Sequence, residues 1–196
     1  MLEKLIDIST NYLIHNQVID EDDRDVYEYG FHSLYNNIID IVSIVIIALF
    51  FYSVPQTIVY HISFVLLRNT AGGYHTKTHL RCFIMSTTIL LVSLFVITRV
   101  ASPVLSIGLA CLSTILIWVK APIEHENNPM SKEKYHRMKI LSRMTSIIFL
   151  CLIFLTNIFM DISLRWIAMS LAFGMATHAI LLFATITQSL HNRKTS

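Results

Sequence analysis

Cys82 closes the stretch RNTAGGYHTKTHLRC, residues 68–82, which also holds His75 and His79. A thiol within reach of an imidazole is the pairing that turns sulfur into a nucleophile for acyl transfer. Lys77, Arg81 and Arg68 surround it with positive charge, and an early position on a helix would further favour thiolate over thiol. Gly72 and Gly73 permit backbone conformations closed to other residues, so the chain can turn sharply there. Thr76 or Thr78 can then cap a new helix. Spacing alone leaves the choice of base open. On one continuous helix His79 is the immediate neighbour of Cys82, three residues away. His75 lies about 10 Å from it along the axis. His75 serves only if the helix starts after it and the glycines fold it back. Two blander readings compete. The set H-x3-H-x2-C can hold a metal ion, and a cysteine in an apolar chain is often a small packing residue. Cys111 and Cys151 are expected to be such packing residues. With three cysteines and no short spacing, neither a disulfide framework nor a CxxC pair is expected.

The elements that must carry this segment belong to a membrane. The 196 residues are 54% hydrophobic and 14% charged, with a mean hydropathy of +0.59. Soluble domains carry about 25% charge. Glu3, Lys4 and Asp7 do not read as a secretory leader, so internal spans are expected to enter the bilayer. Apolar runs fall at 38–54, 55–67, 82–100, 103–119, 144–160 and 164–188. A run of about 17 residues makes about 26 Å of helix and needs a flanking turn to cross the hydrocarbon core. The second run is short and contains His61, which suggests a tilted or re-entrant helix. Six crossings with both ends inside place 13 of the 15 Lys and Arg in the cytoplasm, leaving Arg99 and Arg165 outside. The expected fold is therefore all-α and polytopic, with about six membrane-embedded helices. One domain, 1–196, would hold the 68–81 loop and a basic loop at 120–143 on the cytoplasmic side.

Residues 1–37 precede the first span. Leu2, Leu5, Tyr12 and Leu13 recur at near-helical spacing, as in an amphipathic helix on the inner surface. The acidic patch DEDDRD, 20–25, reads as a solvated loop with capping aspartates. His61 and His178, each inside an apolar run, are expected to be hydrogen-bonded interior residues.

The pattern R-x-x-A-G-G-x-H, with a cysteine seven residues beyond the histidine, resembles the signature of the AgrB (accessory gene regulator B) family of membrane cysteine endopeptidases. The matching residues are Arg68, Ala71, Gly72, Gly73, His75 and Cys82. The segment KAPIEHENNP is similar to the family's second motif through Ala121, Pro122, Glu126, Asn127 and Pro129. The resemblance implies Cys82 as nucleophile and His75, not His79, as its base. Arg68, Gly72, Gly73, Glu126 and Asn127 would support the site or bind substrate: Arg68 by pairing a substrate carboxylate (or only snorkelling to the interface), Glu126 and Asn127 by ordering their loop. It further implies a bacterial cell membrane and an AgrD-like quorum-sensing propeptide as substrate. Tail cleavage through an acyl-enzyme thioester would be followed by closure to a thiolactone or lactone. The expected partners are that propeptide and the lipid bilayer, with a homodimer left open, no nucleic acid, no cofactor and no metal. Two other classes stand beside this one: a small transporter or metal-handling protein using His and Cys ligands, and a non-catalytic chaperone for the same peptide.

Overall fold

The structure, a computed structural model, describes residues 2–71, 79–123 and 131–195, with the side chains of 79–82 and 186–195 outside that description. It is helical, with no strand among the described residues. The helices are α1 (Leu2–His15), α2 (Arg24–Phe50), α3 (Val54–Ala71), α4 (His79–Ile97), α5 (Pro103–Lys120), α6 (Lys132–Phe159) and α7 (Arg165–Thr195). The six apolar runs are thus α2–α7, preceded by the amphipathic α1, and the protein is an all-α polytopic membrane protein. Among the described residues, four stretches are long and apolar enough to cross a membrane: Glu21–Phe50, Pro103–Lys120, Lys132–Phe159 and Ile162–Thr185. α3 is diluted by polar residues, and α4 contributes the shorter apolar segment Phe83–Ile97.

Two compact units divide the chain, Met1–Ile47 and Ala48–Ser196. In the first, α1 is tied to α2 by Ser9 Oγ and Tyr35 Oη at 2.6 Å and by Arg24, which donates to Asn11 Oδ1 at 2.8 Å. α1 buries Ile6 and Thr10 and leaves Leu5, Ile8 and Tyr12 exposed, so its apolar residues do not share a single covered face. The acidic patch departs from expectation. Asp20 makes no capping hydrogen bond; the chain enters a 3-10 turn at Glu21–Asp23 instead. Glu21 and Glu28 flank Arg24 as ion pairs at 2.7 and 3.2 Å, one turn to either side of it.

The second unit is built around α7. Two thirds of its span is enclosed (67%), against 22% for α5 and for α6. The sequence marks the inner faces with small and hydroxylated residues at helical spacing. They are Thr57, Tyr60, Ser63, Leu67 and Ala71 on α3, Ser106, Ala110, Ser113 and Ile117 on α5, and Ser142, Ser146, Phe149, Ile153 and Thr156 on α6. Large apolar side chains such as Leu112, Ile115, Ile148 and Phe159 point outward. In lipid there is little hydrophobic drive between helices, and close backbone approach supplies the packing energy. The hydroxyls bond to carbonyls of their own helix, as Ser113 Oγ does to Leu109 O at 2.7 Å, so they enter the core satisfied. Between helices, Tyr60 Oη donates to Thr177 Oγ1 at 2.8 Å and Asn157 Nδ2 to Ser106 Oγ at 3.1 Å.

At Gly174, α3 and α7 come close together. A Cβ added there would collide with Ser63 Oγ and stand 2.5 Å from the Tyr60 carbonyl and 3.2 Å from the Phe64 nitrogen. The serine hydroxyl can rotate, whereas the carbonyl belongs to the backbone. Gly174→Ala is therefore expected to push the helices apart and cost about 1–3 kcal/mol. Adding Ser63→Ala should recover only part of that loss. Unfolding of the purified protein in mixed micelles measures it; an unchanged midpoint for Gly174→Ala would contradict this seam.

Candidate functional site

Both motif segments issue from one end of the second unit. The C-terminal turn of α3 carries Arg68 and Ala71, and α5 ends at Lys120 with Ala121 as its C-cap. The Ile123 N–H donates to the Ala71 carbonyl at 3.2 Å. Leu67, Ala71, Ile117 and Ala121 are buried in one core, with Ile123 packed against it. The chain that leads into Gly72 is thus held against the chain that follows Ala121 and Pro122. Helix ends leave carbonyls without intrahelical partners, and this bond uses one of them to join two stretches about fifty residues apart.

Sequence spacing places Arg68 in a connecting loop, but α3 continues through it to Ala71. Arg68 is half-buried in the last turn, its guanidinium 5.8 Å from the Phe64 ring centroid. No carboxylate pairs with it among the described residues, so its forked donors are open to an anionic partner. Cys82 and His79 lie three residues apart on the α4 backbone, their side chains outside the described residues. Gly72, Gly73, His75, Glu126 and Asn127 also lie outside them, as do Thr76 and Thr78, the proposed caps. The same holds for the His75, His79 and Cys82 set read as metal ligands.

The basic segment is helical from Lys132 onward, so most of the expected 120–143 loop is the first turns of α6. Ser131 starts that helix, its side chain accepting from the Lys134 N–H at 3.3 Å, with Glu133 in the first turn. Lys132, Lys134 and Arg137 are exposed. Arg143 is engaged with the neighbouring helix instead. It donates to the Trp118 carbonyl at 3.0 Å and lies 5.1 Å from that indole, closing the end of α5.

Two expectations are corrected. Cys151 is exposed on α6 rather than packed inside, and Cys111 is half-buried; both are free thiols. A small thiol is tolerated on the apolar, lipid-facing side of such a helix. His61 bonds to the Thr57 carbonyl at 3.2 Å, but His178 is fully buried with neither ring nitrogen partnered among the described residues. It sits between Met175 and Leu182 on α7, both in the core that holds Leu67 and Ala71, and Arg68 is close enough to act on it electrostatically. Sequence pattern gave no means of separating these histidines, since both read as one polar residue in an apolar run.

A family model described as "Accessory gene regulator B" matches residues 6–187. Over 185 residues the chain is 27% identical to AgrB-like protein 1 of Clostridium perfringens, covering 93% of this chain and 96% of that one. It is 25% identical over 141 residues to accessory gene regulator protein B of Staphylococcus carnosus, covering 71% and 74%. No solved structure matches the chain.

Proposed function

The chain belongs to the accessory gene regulator B family, and from that premise we propose that it is a membrane cysteine endopeptidase that processes a quorum-sensing propeptide. The observation that carries this reading is the bond from Ile123 to Ala71. It brings together the ends of the two segments whose residues match the family, which a shared site requires.

In the proposed reaction the Cys82 thiolate attacks the carbonyl joining the signal segment to the C-terminal tail. A C–S bond forms and the carbonyl becomes an oxyanion, for which the Gly72 and Gly73 amides are candidate donors. When the oxyanion collapses, the C–N bond breaks and His75 delivers its proton to the departing amine of the tail. The peptide is then held as a thioester on Cys82. A thiol or hydroxyl within the same peptide gives its proton to His75 and attacks that thioester, and Cys82 leaves as thiolate. A thiolactone product makes this second step an exchange of one thioester for another, close to thermoneutral, whereas the first step from an amide is uphill. Shielding the thioester from water therefore protects the yield, and a site at the bilayer surface aids that. Arg68 is suited to an acidic group of the substrate, its guanidinium being free of carboxylates among the described residues.

The proposed site faces the cytoplasm. Lys120, Arg68 and Lys132 stand at the site's end of the second unit, and Arg99 and Arg165 stand at its other end, which fits the bias of basic residues toward the inner side. A cysteine introduced at Lys132 in an otherwise cysteine-free protein is expected to resist a membrane-impermeant maleimide in intact cells and to react after permeabilisation. Labelling in intact cells would contradict this sidedness.

The resemblance to the family implies an acidic C-terminal tail on the substrate, and this tail is proposed to meet the exposed start of α6. Replacing Lys132, Lys134 and Lys139 together by Gln is expected to weaken propeptide binding several-fold at low ionic strength, with the difference shrinking as salt is added. Titrating labelled propeptide into reconstituted protein measures this. Equal affinity at low salt would confine these lysines to orienting the protein in the membrane.

A further inference from the structure

At the end of the second unit opposite the Ala71–Ile123 contact lies a cavity of about 430 Å³. The turn after α2, the start of α3, the segment after α4 and the start of α7 frame it. Its polar lining consists of Tyr52, Gln56, Thr98, Arg99, Ser163 and Trp166, and every one of these side chains can donate a hydrogen bond. Among the described residues that line it, Arg99 alone carries charge; Asp161 stands just outside, one residue before Ile162. The Arg99 guanidinium lies 4.0 Å from the Phe95 ring centroid, which anchors one of its faces. A ligand that fits must therefore present an anion to Arg99.

The surroundings specify the rest. Phe50, Val104 and Ile162 near the mouth are strongly exposed, as residues facing acyl chains are, and Trp and Tyr belong at the level of lipid headgroups. The volume is at the small end of the range for ligand sites, which suits a headgroup better than a cyclised peptide. A zwitterionic headgroup would bring its ammonium beside Arg99, an unfavourable pairing. We propose that this cavity binds the headgroup of an anionic phospholipid, its phosphate accepting from Arg99. The site lies in the leaflet opposite the proposed catalytic site and is independent of the peptidase reading.

Native mass spectrometry of the delipidated full-length protein tests this, with titrations of phosphatidylglycerol, phosphatidylcholine, phosphatidic acid and glycerol 3-phosphate. One phosphatidylglycerol should be retained, and Arg99→Gln should weaken it about tenfold. Phosphatidic acid should bind comparably and phosphatidylcholine far more weakly. Arg137→Gln, at the other end, should change nothing. Wild-type binding by Arg99→Gln would overturn the proposal. So would competition by glycerol 3-phosphate at equal affinity, which marks a soluble-anion site. Arg99-dependent binding of a synthetic cyclised peptide in place of the lipid would overturn it as well.

Discussion

Replacing Cys82 by alanine is expected to abolish release of the propeptide tail, with a fall on the order of 10⁴-fold or more in turnover, the usual consequence of losing a nucleophile. No other group in the proposed sequence of steps can hold the acyl intermediate. Cys111→Ser and Cys151→Ser should retain near-wild-type rates. Cys151 is exposed on α6 and Cys111 is half-buried on α5, and neither belongs to the segments that meet at Ala71 and Ile123. Tail release followed by gel electrophoresis or mass spectrometry distinguishes these outcomes. A Cys111 or Cys151 variant as inactive as Cys82→Ala would move the chemistry away from the 68–82 segment.

The second large effect separates the two histidines. His75→Ala is expected to lower the rate of acyl-enzyme formation by about 10²–10⁴-fold, the range for loss of a general acid–base group, while His79→Ala retains most of it. Spacing by itself points the other way, since His79 and Cys82 are three residues apart on the α4 backbone. The resemblance to the family motif favours His75, and glycines at 72 and 73 would permit the turn needed to fold it back. A chelator should slow neither variant nor the wild type. Single-turnover rates with the two variants settle the assignment; the reverse ranking would make His79 the base.

Much of the architecture was legible because hydropathy in a membrane chain is a direct record of solvent. Each of the six apolar runs became a helix, and the short second run with His61 became α3, whose inner face is Thr57, Tyr60, Ser63, Leu67 and Ala71. Its low hydropathy reflects packing against protein on one side. Mean hydropathy could not reveal that α7 is the central helix, because a residue facing lipid and one facing a neighbouring helix are equally apolar. The small residues that carry the packing, Gly174 above all, look ordinary in a sequence read for large side chains. Helix ends were also beyond reach where the chain leaves the bilayer. The Lys and Arg residues of 132–143 read as a loop, although such residues sit well on an exposed helix and Ser131 supplies its start. For the site, the sequence named Ala71 and the 121–123 segment but not their proximity, which rests on one backbone hydrogen bond. His178, expected to be hydrogen-bonded, has no partner among the described residues, and burial of that kind is a property of the packed bundle alone.

The central claim is that Cys82 carries the peptide as a thioester, and intact-mass spectrometry during a single turnover tests it most directly. Reconstituted protein is mixed with a propeptide whose cyclising thiol or hydroxyl is removed, quenched in acid, and digested to locate any adduct. The account predicts that tail is released and that a hydroxylamine-labile peptide adduct accumulates on Cys82. It should be absent in Cys82→Ala and greatly slowed in His75→Ala. Tail release at the wild-type rate with no adduct on Cys82, or an adduct found on Cys111 or Cys151, would contradict it.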